Sequence, residues 1–127
     1  MSNETRQNFP SGGPFEDVYG YSRAVRVGNV IAVSGSCARD AAVEGDAYVQ
    51  AADAIRVIGA SLETAGSSLA DVVRTVTYVT NIDDMDLVAR AHREAFGDVR
   101  PAATIVEVSR LAAPQYLVEI QADAVVA

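Results

Sequence analysis

Glu119 sits in the run Leu117-Val-Glu-Ile-Gln-Ala-Asp-Ala-Val-Val126, where apolar and polar residues alternate. Alternation of this kind marks a strand with one buried face, and it sets Glu119, Gln121 and Asp123 together on the other. A carboxylate in a partly dry cleft can take a proton from water and return it to a leaving amine. On the strand pattern alone, a row of solvated polar residues is the simpler account. Nearer the start of the chain, Tyr21, Arg23 and the pair Ser34-Gly35 flank a hairpin signal. A tyrosine there can stack on a planar ligand, and an arginine brings a fork of donors matched to a carboxylate. A strand closing on Ser-Gly offers backbone N–H groups to an anion. Each has an ordinary alternative: packing, surface solvation, a strand-to-loop turn.

Two other reactive side chains are set aside. Cys37 is the single cysteine, and with only Arg39 close in sequence nothing marks it as an activated nucleophile. His92 is the single histidine. It has no Cys or His partners at zinc-ligand spacing, so no metal site is expected. A lone cysteine cannot form an internal disulfide, which suits a reducing compartment. The formal charge of −7 disfavours a nucleic-acid partner, because phosphate binding relies on surplus cations. No apolar run reaches the length of a membrane span, and Met1-Ser-Asn-Glu-Thr5 lacks the basic-then-apolar plan of a secretion signal. A cytoplasmic location without membrane contact is the expectation.

These residues need elements to hold them. The sequence predicts a short leading strand at Thr5–Phe9, broken by the turn formers of Pro10–Pro14. Ser22–Val27 and Val30–Ser34 flank Gly28-Asn29, a two-residue hairpin turn. Arg39–Asp46 reads as loop. Ala51, Ile55, Ile58, Leu62 and Ala65 fall at the spacing of one helical face, with Gly66 placed to end that helix. Val72–Thr80 is rich in β-branched residues and reads as a strand. A second helix, capped by Asp83 or Asp84, runs to Phe96 and stops at Gly97. Pro101–Leu111 and Leu117–Val126 read as two strands joined by an Ala-Pro loop. With 127 residues and no repeat or linker, residues 1–127 are expected to form one α+β domain. Its sheet is mostly antiparallel, with two helices on one face.

Several stretches resemble the Rid family (RidA/YjgF/UK114): Gly20-Tyr21, Gly28–Gly35, Asp71–Val79, Ala91–Phe96 and Pro101-Ala-Ala-Thr104. Their order covers most of the chain from about Pro14 onward. The resemblance implies a chorismate-mutase-like (YjgF-like) fold, a homotrimer with a barrel-like centre, and a small-molecule cleft at each subunit interface. It implies deaminase-type hydrolysis of an imine, enamine or related C–N bond, with neither metal nor organic cofactor. Glu119 would then orient the attacking water, Tyr21 line the cleft, and Ser34 and Gly35 hold an anionic group. Thr104 and Ile105 would border it, the latter through its backbone carbonyl in place of the family's usual cysteine.

The departures are as informative. Where the deaminating branch has an arginine that grips the substrate carboxylate, this chain has Ala103; where the second helix usually carries Asn and Tyr, it has Ala89 and His92. Arg23, Arg74 and Arg100 are the arginines that could replace the lost guanidinium, with Arg23 preferred. Glu119 favours an enzyme, on a substrate other than a simple 2-imino acid. Ala103 equally fits a small-molecule-binding or regulatory protein without chemistry. The ribonuclease label attached to the family fits poorly with the acidic charge and single histidine.

Overall fold

The structure, a computed structural model, describes residues 5–127. Six strands, β1 (Arg6–Phe9), β2 (Ala24–Val27), β3 (Val30–Ser36), β4 (Val72–Val79), β5 (Ala102–Glu107) and β6 (Val118–Val125), form one sheet in the order β1-β2-β3-β6-β4-β5. Three helices accompany it: α1 (Phe15–Tyr19), α2 (Ala47–Thr64) and α3 (Met85–Phe96). The α+β architecture expected from the sequence is present.

Helix α2 forms where the apolar spacing predicts. The Asp46 carboxylate accepts from the Val49 N–H at 3.0 Å, satisfying a donor that the first turn leaves free. Gly66, at φ 86°, takes the left-handed turn after its C-terminus. Ala51, Ala54, Ile58 and Leu62 are fully buried against β3 and β6, where Ile31, Ile120 and Ala124 meet them. Along β6 the alternation holds: Val118, Ile120, Ala122 and Ala124 are buried, while Glu119, Gln121 and Asp123 are half-buried on the opposite face.

Several features differ from the sequence expectation: Asp40–Glu44, read as loop, is a turn of 3-10 helix, β5 ends at Glu107, and three more bear on the site. Helix α1 is additional; its five residues are too few to display a helical period, and Phe15, Val18 and Tyr19 stay exposed. Asp84 takes the N-cap position of α3, as expected, but its side chain makes no capping hydrogen bond. Instead Asn81 accepts from the Asp83 N–H at 3.0 Å, capping a turn of 3-10 helix (Ile82–Asp84) that leads into it. The third concerns the last two strands. β5 pairs in parallel with β4 at the sheet edge, and β4 separates it from β6. A parallel neighbour needs a long crossover, which α3 provides. At the end of α3, Gly97 remains right-handed (φ −57°), and the left-handed residue is Arg100 (φ 57°).

Candidate functional site

Directly paired strand residues share a face of the sheet, so the register fixes which side chains can meet. Glu119 pairs with Tyr78, which pairs with Val106. These three face away from the helices. Ile120 pairs with Thr77, and Thr77 with Ile105; Ala103 pairs with Thr75. That set faces the helices, as the burial of Ile120, Thr75 and Thr77 shows. Within one chain, Glu119 therefore lies on the face opposite Ala103 and Ile105. Thr104, paired with Val76, belongs to the Glu119 face.

The surroundings of Glu119 arise from a bulge. Val33 pairs with Ala122 and Ser36 with Ile120, so β3 carries one extra residue at Ser34–Gly35. Gly35 lies under the carboxylate: a Cβ built on it would come within 1.9 Å of Glu119 Oε2. Only glycine admits the carboxylate in that position. The strand does not end at Ser34, as expected, but continues to Ser36. Nor is the Ser34 N–H open to a ligand, because it donates to the Arg23 carbonyl at 3.0 Å, while the Ser34 hydroxyl donates to Ser22 O at 2.6 Å.

Cys37 and Glu119 are brought together from opposite ends of the chain. The Cys37 thiol lies 3.8 Å from Glu119 Oε1, as its donor. Burial, reinforced by the charge of Glu119, pushes the thiol up to about 12, so it stays protonated at neutral pH and is no nucleophile. Sequence reasoning does not connect the two residues.

Arg23 stands just before β2 with one terminal nitrogen committed. Its Nη2 donates to Ser34 O at 2.7 Å, Gly35 O at 2.9 Å and Ser36 Oγ at 2.9 Å, clasping the bulge. Its Nε is buried without a hydrogen-bond partner. Burial lowers its pKa, with the nearby Arg39 charge adding to the effect; Tyr21, Cys37 and Glu119 act in the other direction. Tyr21 is half-buried, its ring 6.3 Å from that of Tyr19. Arg74 is exposed on β4, paired with Asp123 and Ala102. That position is four residues from the Tyr78–Glu119 pair, about 13 Å along the strand.

On the helix face, α3 and β5 border a groove of about 470 Å³. Val88, Phe96, Ala103 and Ile105 supply apolar wall, while Arg93 and Arg100 bring cations. Arg100 Nε donates to Gly97 O at 2.8 Å. His92 also lines the groove, with Nε2 2.9 Å from Thr75 Oγ1; burial holds its pKa below the ordinary histidine value. Nothing in the sequence marks Arg93 or His92 as site residues; only the α3–β5 juxtaposition brings them to the groove. Among the described residues, no three His, Cys, Asp or Glu side chains group as a metal site.

The profile of the family described as "Endoribonuclease L-PSP" matches residues 15–126. The chain belongs to the Rid family. Its Rid relatives include a solved member of the YjgF/YER057c/UK114 family from Mycobacterium tuberculosis. That protein is 46% identical, with a TM-score of 0.90, over 96% of this chain and 100% of the other. A RutC family protein of Pyrococcus abyssi is 40% identical over 82% of this chain and 84% of its own length. A Salmonella typhimurium protein named 2-iminobutanoate/2-iminopropanoate deaminase is 31% identical over 83% of this chain and 86% of its own. The fold of this Rid chain agrees with such structures, and no helix among its described residues is long and apolar enough to cross a membrane.

Proposed function

We propose that the chain acts as a homotrimer whose intersubunit clefts hydrolyse an imine, enamine or related C–N bond on a substrate other than a simple 2-imino acid. One observation carries this reading: the Glu119 cluster and the α3–β5 groove face opposite sides of one sheet, so a cleft using both draws them from two chains. Exposed Val27, Val30, Val106 and Val125 support self-association. By register they lie on the helix-free face, where a second chain would cover them. The deaminase name of the Salmonella relative supports the reaction class.

In this reading Glu119 accepts a proton from water as its oxygen bonds to the iminium carbon, whose C=N π pair moves to nitrogen. The carboxyl then returns that proton to the amine of the tetrahedral adduct. The C–N bond breaks, ammonia leaves, and the hydroxyl passes its proton to the departing ammonia, giving the carbonyl product and ammonium. Cys37 and the Arg23-clasped bulge keep the carboxylate in place; Tyr21 and Thr104 border the substrate. Ile105 contributes through its backbone carbonyl. Ala103 offers no guanidinium, and the apolar walls of the groove suit a larger, less polar substituent. Ala103 also favours a second reading, a cleft that binds a small molecule and does no chemistry.

The two are separated by screening imines, enamines and aminomuconate-like compounds against wild type and Glu119→Gln, measuring ammonia release and affinity together. General acid–base help is worth about 10²–10⁴-fold in rate. Turnover should collapse by that order in Glu119→Gln while affinity changes little. Equal ammonia release by both proteins removes Glu119 from the reaction, and tight binding without turnover in wild type establishes the binding protein.

A further inference from the structure

A second, smaller concavity lies between α2 and the segment linking β1 to α1. It has a volume of about 170 Å³, and Arg23, Arg39 and Arg56 all line it, together with Ser11, Ser61 and Thr64. Three arginines lining one small space are conspicuous in a chain of formal charge −7.

The acidic groups nearby are already engaged. Asp53 receives Arg56 Nε at 2.7 Å and the Arg39 backbone N–H at 2.8 Å. Glu16 accepts from the Ser11 N–H, and this contact, ahead of the Arg23 charge, lowers its pKa. Asp40 contributes a more distant charge to Arg56. Glu119, beside Cys37, acts on Arg23 as well. Among the described residues, none hydrogen-bonds the Arg39 guanidinium, and the buried Arg23 Nε is left without an acceptor. A buried donor without a partner carries its full desolvation penalty, and like charges held together add repulsion. A small anion among the three arginines relieves the repulsion, through charge-assisted hydrogen bonds to Arg39 and Arg56.

We propose that this concavity is a binding site for a small oxyanion of the phosphate class, held by Arg39 and Arg56 with the charge of Arg23 beside them. Ser11, Ser61 and Thr64 supply the polar wall. The site is separate from the cleft proposed for hydrolysis and needs no catalysis to be tested. It touches that cleft through one residue, because the same Arg23 clasps the carbonyls of Ser34 and Gly35.

The probe is inorganic phosphate at constant ionic strength, with chloride as the exchanged ion, read as the melting temperature of the whole protein. A ligand that binds only the folded state raises the melting temperature in step with its concentration. Wild type should show a phosphate-dependent rise that chloride does not reproduce. The double variant Arg39→Gln/Arg56→Gln should lose it. The variant Arg6→Gln/Arg110→Gln, which removes two charges from exposed positions elsewhere, should keep it. An equal rise in both variants, or no difference between phosphate and chloride in wild type, overturns the site.

Discussion

The two faces of the sheet differ in kind. Around Glu119 the positions are fixed by hydrogen bonds: the bulge in β3 is held by three contacts from one Arg23 nitrogen, and the Cys37 thiol points at the carboxylate. Across the sheet, the α3–β5 groove is shaped mainly by Val88, Phe96, Ala103 and Ile105, with its cations from α3 and the turn after it. In the proposed cleft the first region would carry the proton chemistry and the second the shape. Because they rest on different elements, the side chain at Ala103 can change without disturbing the β3–β6 bulge. In the proposed cleft this separates what the site does from what it accepts.

The largest effect is expected from Gly35→Ala. Its Cβ would meet Glu119 Oε2 at 1.9 Å, and the obstacle is the end of a flexible side chain, so the carboxylate moves and the backbone stays. Misplacement by about 1 Å can cost 10²-fold in rate. Turnover of a substrate found by the screen should fall by that order with the melting temperature almost unchanged. Unaltered turnover would mean that the position of the carboxylate is not what matters.

A smaller effect is expected from the opposite face. Ala103→Arg places a guanidinium on the groove, and a hydrogen bond to a charged group is worth about 1.5–3 kcal/mol, roughly ten- to a hundredfold. Wild type should release little or no ammonia from enzymatically generated 2-iminobutyrate, and the variant should gain by that factor. Wild-type turnover matching that of an arginine-bearing homologue run in parallel would show that Arg23, Arg74 or Arg100 already serves.

The smallest expected effect is on stability and lies in the groove. Burial lowers the pKa of His92 in the folded state, so the unfolded chain takes up its proton first as pH falls. Stability then declines from about the unperturbed histidine value, near 6.5, down to the folded pKa, and the loss levels off below it. Wild type should lose more melting temperature than His92→Gln between pH 7.5 and pH 5. Identical losses would show that His92 is not strained by protonation.

Much of this arrangement was legible in the sequence because it is local. The spacing of Ala51, Ile55, Ile58 and Leu62 describes α2, and the alternation through Val118–Ala124 divides β6 into a core side and a polar side. What escaped depends on contacts far apart in sequence. Nothing in Cys37 announces Glu119, and no residue of β5 reveals that it runs parallel to β4 instead of pairing with β6. The commitment of the Ser34 N–H and hydroxyl follows from the bulge, which is a property of the β3–β6 register. Helix α1 is too short to show a period. The groove residues His92 and Arg93 gain meaning only when α3 crosses back over the sheet to deliver β5.

In the proposed reading a complete cleft needs two chains, which the mass of the particle in solution reveals. Light scattering after size exclusion, at micromolar concentration, should give three times the 13.3 kDa chain mass. A particle of a single chain mass would contradict the account, since the Glu119 face and the α3–β5 groove could then never meet.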